Sequence, residues 1–196
     1  MNVLVVHAHP NPESFNHALF DTAVRALRAG GHRVTAVDLY AERFHAAMSR
    51  DEHRAYQGDD PIVDPRVAAY ASAVREAEAM VFVYPTWWSG VPAILKGWLE
   101  RVLVPGVGFV LDERTGKVRP GLVRLRRIVG ISTYGSRRSY VMAMTDGGRR
   151  VLTRALRMSA GWRTRATWLG LYSMDAADDA QRAVFLARVD AKLRSL

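Results

Sequence analysis

The chain has no cysteine, so disulfides, thiolate metal sites and cysteine nucleophiles are excluded together. No apolar run approaches the roughly 18 residues that a membrane helix needs. The opening MNVLVVHAHP has neither the basic segment nor the long apolar stretch of a secretory signal. A cytoplasmic location without membrane insertion is therefore expected. Two glycine-rich phosphate signatures are also missing. Without G-x-G-x-x-G a Rossmann dinucleotide domain is disfavoured, and without G-x-x-x-x-G-K-[ST] so is an ATPase. There is no G-x-S-x-G elbow, the nucleophile signature of α/β-hydrolases. Lysine is scarce: Lys96, Lys117 and Lys192 are the only lysines among 28 basic residues.

What is present is an arginine-rich chain with a formal charge of +9. The arginines are scattered, and groups such as Arg124, Arg126, Arg127 and Arg149, Arg150 alternate with apolar residues or sit among them. They read as solvated faces of ordinary elements, and a nucleic-acid partner is not expected. A positive surface does favour anionic small molecules such as phosphorylated cofactors.

With 196 residues, 49% of them hydrophobic, the chain can build one domain with a sizeable core. Residues 2–7 (NVLVVH) read as a buried strand, and a helical pattern from Ser14 through Leu27 stops at Gly30-Gly31. A second strand follows at 33–38, so the chain opens as a βαβ unit with a parallel sheet. A short helix is expected around Met48–Tyr56, a longer one at 65–78 and a third strand at 79–84. Pro92 opens a helix that places Ile94, Leu95, Trp98, Leu99 and Val102 on one face. Residues 107–119 suggest a hairpin excursion turning at Arg114-Thr115-Gly116. Strands at 125–132 and 163–171 and helices at about 146–159 and 176–194 complete the pattern. The expected fold is a single α/β domain over 1–196, a doubly wound five-stranded parallel sheet whose common strand order is 2-1-3-4-5.

Such sheets bind ligands beyond the carboxyl ends of their strands, and three unusual loops lie there. The first, His9-Pro10-Asn11-Pro12-Glu13-Ser14-Phe15-Asn16, leads into a helix N-terminus. Ser14 reads equally as a plain N-cap or as part of an anion site. The second, Pro85-Thr86-Trp87-Trp88-Ser89-Gly90, sets two tryptophans side by side. They could wall a flat ring, or one could fill core space. The third, Ser132-Thr133-Tyr134-Gly135-Ser136, is either an ordinary turn or a place where backbone amides reach a ligand. His7 and His9 are two residues apart, but no third ligand at suitable spacing is apparent, and no metal site is expected.

Taken together the loops resemble the NAD(P)H:quinone oxidoreductase family, of flavodoxin-like fold. The resemblance rests on HPNPESFNHAL, on the stretch from Pro85 to Val102, on Gly108-Phe109 and on Ser132–Gly135. It covers about residues 1–145 well and the remainder by topology alone. It implies a non-covalent flavin, FMN with FAD as the other form, and NAD(P)H as electron donor. His9, Ser14, Phe15 and Asn16 would hold the phosphate side. Pro85, Thr86, Trp87 and Trp88 would line the ring, and Thr133, Tyr134 and Gly135 would bond its polar edge. Quinones or similar aromatic acceptors would be reduced by two electrons in a ping-pong cycle. The resemblance further implies a homodimer, with the 107–119 hairpin and the 41–60 segment as candidate contact regions. It places Tyr140 where relatives carry a catalytic tyrosine, and Asp146 where they carry a histidine. Two other functions fit the same fold: an ancillary flavoprotein subunit of a potassium-efflux transporter, peripheral to the membrane, and a flavodoxin-type electron carrier. Flavodoxins generally carry an acidic surface, so the charge of +9 speaks against the last.

Overall fold

The computed structural model describes residues 1–56 and 58–196; Gln57, inside the 41–60 segment, lies outside the described residues. Its centre is a five-stranded parallel sheet built from β1 (Asn2–His7), β2 (Arg33–Asp38), β3 (Ala79–Pro85), β6 (Arg127–Thr133) and β7 (Arg165–Leu171). The order is β2-β1-β3-β6-β7, the expected 2-1-3-4-5 arrangement. β1, β3 and β6 occupy the middle and are buried almost throughout, which is why they read as unbroken apolar runs.

Period-two alternation divides the sheet between two cores. Val3 and Val5 face α1 (Phe15–Ala29) and α8 (Asp179–Arg194), where Leu19, Leu27, Phe185 and Val189 are buried. Leu4 and Val6 face the opposite layer, with α3 (Pro65–Glu76) and α4 (Ala93–Val102) and the buried ring of Trp98. Ser14 caps α1 by accepting the His17 N–H, and Gly31 just past the helix end adopts φ 76°. Gly130 in β6 is a spatial requirement: a Cβ there would lie 2.1 Å from the ring of Trp168 on β7.

The short helix expected at Met48–Tyr56 is α2 (Arg50–Ala55), closed by a Ser49/Glu52 capping box. The hairpin excursion is formed by β4 (Phe109–Leu111) and β5 (Val118–Pro120), with Gly116 at φ 65° in the turn. Val107, just before the hairpin, belongs to the core, while Val110, Leu111 and Val118 reach solvent. A six-residue helix α5 (Arg138–Ala143) occupies what reads in sequence as loop. The helix expected at 146–159 is composite: α6 (Gly147–Arg150), a π-helical turn (Val151–Ala155) and α7 (Leu156–Ala160).

Candidate functional site

The loops after β1, β3 and β6 converge on one cavity of about 690 Å³ at the carboxyl edge of the sheet. Its lining includes His9, Ser14, Phe15, Asn16, Pro85, Thr86, Trp87, Trp88, Thr133 and Gly135. Ser136, Met174 and Asp175 complete it. Ten of the eleven expected cofactor residues are thus brought together; Tyr134 is the exception.

Three hydrogen bonds tie the loops to one another. The Asn16 side-chain amide donates to Thr133 Oγ1 at 2.8 Å. The Thr86 N–H donates to the Thr133 carbonyl at 2.8 Å, and the Thr86 and Ser132 hydroxyls share a further bond of 2.8 Å. The site is therefore braced before any ligand arrives.

Its polar groups are spaced for a ligand with an anionic end and a hydrogen-bonding edge. At the start of α1 the N–H groups of Phe15 and Asn16 have no acceptor among the described residues, and the Ser14 side chain caps His17 instead. Free amides at a helix N-terminus attract anions. His9 sits beside them. Its Nδ1 accepts the Asn11 N–H at 3.1 Å, which places the ring proton on Nε2 as a free donor. The same Nδ1 lies 3.2 Å from the Asn11 carbonyl, but the amide can only donate, and that decides the tautomer. In the third loop the N–H groups of Gly135 and Ser136 are also unclaimed among the described residues. Asn16 Oδ1 is buried without a partner among the described residues, an acceptor left open in a residue of the cavity lining.

The aromatic wall comes from a tight turn. Trp87 and Gly90 exchange both backbone hydrogen bonds, and Trp88 and Ser89 between them have φ 48° and 55°. Both central residues are left-handed, the pattern of a type I′ turn, which is costly for a bulky residue. The outcome is that Trp88 is fully exposed and Trp87 is 43% exposed, its ring centre 6.0 Å from that of His9. Neither tryptophan is a core filler.

Tyr134 turns the other way. Its backbone N–H donates to the Leu171 carbonyl, and its own carbonyl accepts the Met174 N–H. Its ring stacks on Tyr172 at 4.6 Å, and its hydroxyl donates to Asp146 Oδ2 at 2.8 Å. Burial raises the Tyr134 phenol well above the ordinary tyrosine range, and the Asp146 carboxylate adds to this, so the hydroxyl remains a donor. Asp146 is buried. Its other oxygen caps α6 through the Arg149 N–H, and the Gly147 and Gly148 N–H groups bond the Ser89 carbonyl. Asp146 thereby links the third loop to the tryptophan turn. Tyr140 is exposed on α5. Neither Tyr140 nor Asp146 lines the cavity.

Sequence reasoning missed Met174 and Asp175. They follow β7, so the same strand-end rule covers them, but that connector has no unusual composition. His7 does not pair with His9; the structure gathers it with His17 and Asp38.

The family model described as Flavodoxin-like fold matches residues 1–193. The chain belongs to this flavodoxin-like family. A curated relative, the rat NAD(P)H dehydrogenase [quinone] 1, is 32% identical over 164 residues, covering 76% of this chain and 59% of that one. The human ribosyldihydronicotinamide dehydrogenase [quinone] is 32% identical over 166 residues, covering 76% of this chain and 70% of its own length. The alignment with a Penicillium crustosum dehydrogenase-like protein spans 49% of that relative, so the chain accounts for only about half to three-fifths of some members. Among solved structures, an FMN-dependent NADH-azoreductase from Bacillus anthracis, determined in complex with FMN, superposes with a TM-score of 0.76. It covers 100% of this chain and 99% of its own at 14% identity, a likeness of flavodoxin-like fold.

Proposed function

We propose that this chain is a flavin-dependent NAD(P)H oxidoreductase that reduces quinones or similar aromatic acceptors by two electrons. The observation that carries the reading is the cavity itself, which gathers the free amides of Phe15 and Asn16, His9, the two tryptophans and the free amides of Gly135 and Ser136 in one lining. Its volume of about 690 Å³ lies within the range of cofactor sites. The names of the rat and human relatives support the same reaction class.

A bound flavin supplies the hydride chemistry. The protein's part is to bind and orient it. The Phe15 and Asn16 amides with His9 Nε2 would hold a phosphate, and FMN is the form we propose. Thr86, Trp87 and Trp88 would keep one side of the ring packed and dry. Asp146 acts here as a positioning group, because both of its oxygens are already engaged within the protein. A homodimer belongs to the proposal: the Trp88 ring stands entirely in solvent at the cavity rim, where a second copy would cover it.

Purified protein should be yellow. Heat release followed by chromatography should yield FMN, and FAD in its place would correct the cofactor. With NADH or NADPH and a benzoquinone, initial velocities should give the parallel double-reciprocal lines of a shared site. Colourless protein that takes up neither flavin on reconstitution would overturn the proposal. Sedimentation should give twice the 21.9 kDa chain mass.

A further inference from the structure

β1 and β2 are parallel neighbours in a register that sets His7 opposite Asp38, each the last residue of its strand. His17, in the first turns of α1, folds over the same strand ends. One ring nitrogen from each histidine and one Asp38 oxygen lie within 4.8 Å of one another. None of the three lines the cavity described above.

We propose that His7, His17 and Asp38 form a binding site for a divalent transition metal, with zinc the ion that suits the donors best. Two imidazoles and one carboxylate make a borderline-soft donor set that zinc accepts readily.

Which atoms would face the ion follows from the bonds already made. His7 Nδ1 lies 3.2 Å from the Val83 carbonyl, so it carries the proton and donates. That leaves Nε2 as a bare lone pair, buried and without a partner among the described residues, in a side chain with no exposed surface. His17 Nδ1 is likewise buried with no hydrogen-bond partner among them, 3.7 Å from Asp38 Oδ2. Asp38 Oδ1 accepts the Tyr40 and Ala41 N–H groups at 3.0 and 3.1 Å, which fixes the carboxylate and leaves Oδ2 to turn inward. The outer nitrogen of His17 is 3.8 Å from Asp21 Oδ1. A ligand histidine whose other nitrogen donates to a backbone carbonyl, and a ligand carboxylate held by backbone amides, are the outer-shell arrangements of metal sites.

An orphaned acceptor nitrogen on His7 and an unpartnered ring nitrogen on His17, beside a carboxylate, are unfavourable without something to satisfy them. Burial also holds the His7 ring far below the ordinary histidine range, at about 4, despite the opposing pull of Asp38. A neutral ring is the form a metal needs. Tetrahedral zinc with nitrogen ligands at the usual distance has its ligands about 3.4 Å apart. The 4.8 Å separation must therefore close. His17 can supply this movement, because its side chain is 26% exposed and not wedged in the core. A fourth position, toward solvent past His17 and Asp38, would hold water.

The test uses the full-length protein as purified, stripped with a chelator and dialysed against zinc, with metal and flavin measured on the same samples. One zinc per chain is expected, with a rise in melting temperature, and cobalt in its place should give visible d–d absorption after subtraction of any flavin. His17→Ala and Asp38→Asn should each weaken zinc binding by about tenfold or more and abolish the melting shift. His7→Phe should do the same; if it does not fold, the two partly exposed positions decide. Far-UV dichroism of the metal-free variants confirms that they are folded. Zinc uptake well below one per chain in the wild type, or stoichiometric uptake that His17→Ala and Asp38→Asn leave unchanged, overturns the proposal. Because none of the three residues lines the cavity, loss of flavin and loss of zinc are separate results.

Discussion

Asp146 and Tyr134 show how one hydrogen bond separates two roles. With one oxygen on the Tyr134 hydroxyl and the other on the α6 amide, Asp146 has both oxygens engaged inside the protein. Asp146→Asn keeps a good cap and a near-identical shape. We expect it to lower unfolding free energy by about 1–3 kcal/mol while kcat with NADH and a benzoquinone stays within several-fold of wild type. A fall in kcat of a hundredfold or more with an unchanged melting temperature would return Asp146 to the proton chemistry. Tyr134→Phe should cost a similar 1–3 kcal/mol in denaturant unfolding, because it leaves a buried carboxylate oxygen without a donor. The inward turn of Tyr134 was not readable in the sequence, which set it with Thr133 and Gly135 on the ring's edge; in the structure Thr133 lines the cavity while Ser132 and Tyr134 are buried and do not. Its partner was not readable either, since Asp146 lies beyond an intervening helix.

Helix α4 is where sequence legibility ends for an element. Its apolar stripe was evident, yet Arg101 on the same helix is buried. Its guanidinium bonds Glu52 of α2 at 2.7 Å and Asp64, the N-cap of α3, at 3.0 Å. Nothing in the spacing of Arg101 from acidic partners 49 and 37 positions away could announce that cluster. Burial alone would raise the Glu52 carboxyl, but the Ser49 backbone amide and Arg101 together hold it below the usual range. A depressed carboxyl stabilises the fold above its unfolded value, and the contribution is lost as pH falls through and below that value. Thermal melts taken from about pH 6 to about pH 3 should therefore drop more steeply for wild type than for Glu52→Gln. Equal slopes would show that the pair contributes nothing to acid sensitivity. The same helix carries Gly97, where a Cβ would stand 2.1 Å from the Ala46 carbonyl oxygen. That neighbour is backbone and cannot swing aside. Gly97→Ala should cost at least about 1–3 kcal/mol by chemical denaturation, whereas the same change at Gly116, with open space but φ 65°, should cost only about 1 kcal/mol. The π-helical turn at Val151–Ala155 was illegible for another reason: one extra residue in a helical turn barely disturbs a 3.6-residue apolar pattern.

At the scale of the whole molecule, loop convergence was legible, whereas the strand order was not in the pattern and came only as the common solution for five strands. Once five parallel strands alternate with helices, the loops after the central strands must meet at one edge, whatever their residues. The same scale governs charge. The chain carries +9, and Arg137 and Arg138 follow directly on Ser136 at the cavity. A field of that sign concentrates anions near the opening and raises their rate of encounter. Salt screens it over about 10 Å at 0.1 M ionic strength, while hydrogen bonds inside the cavity are screened far less. FMN binding to the flavin-free protein should thus show an association rate that falls severalfold as ionic strength rises from about 0.02 to about 0.5 M. The dissociation rate should change little. Stopped-flow quenching of flavin fluorescence separates the two. Arg137→Ala with Arg138→Ala should flatten the association slope without altering dissociation. If the slope persists in that double variant, the steering comes from the scattered arginines of the whole surface and not from the pair at the cavity mouth.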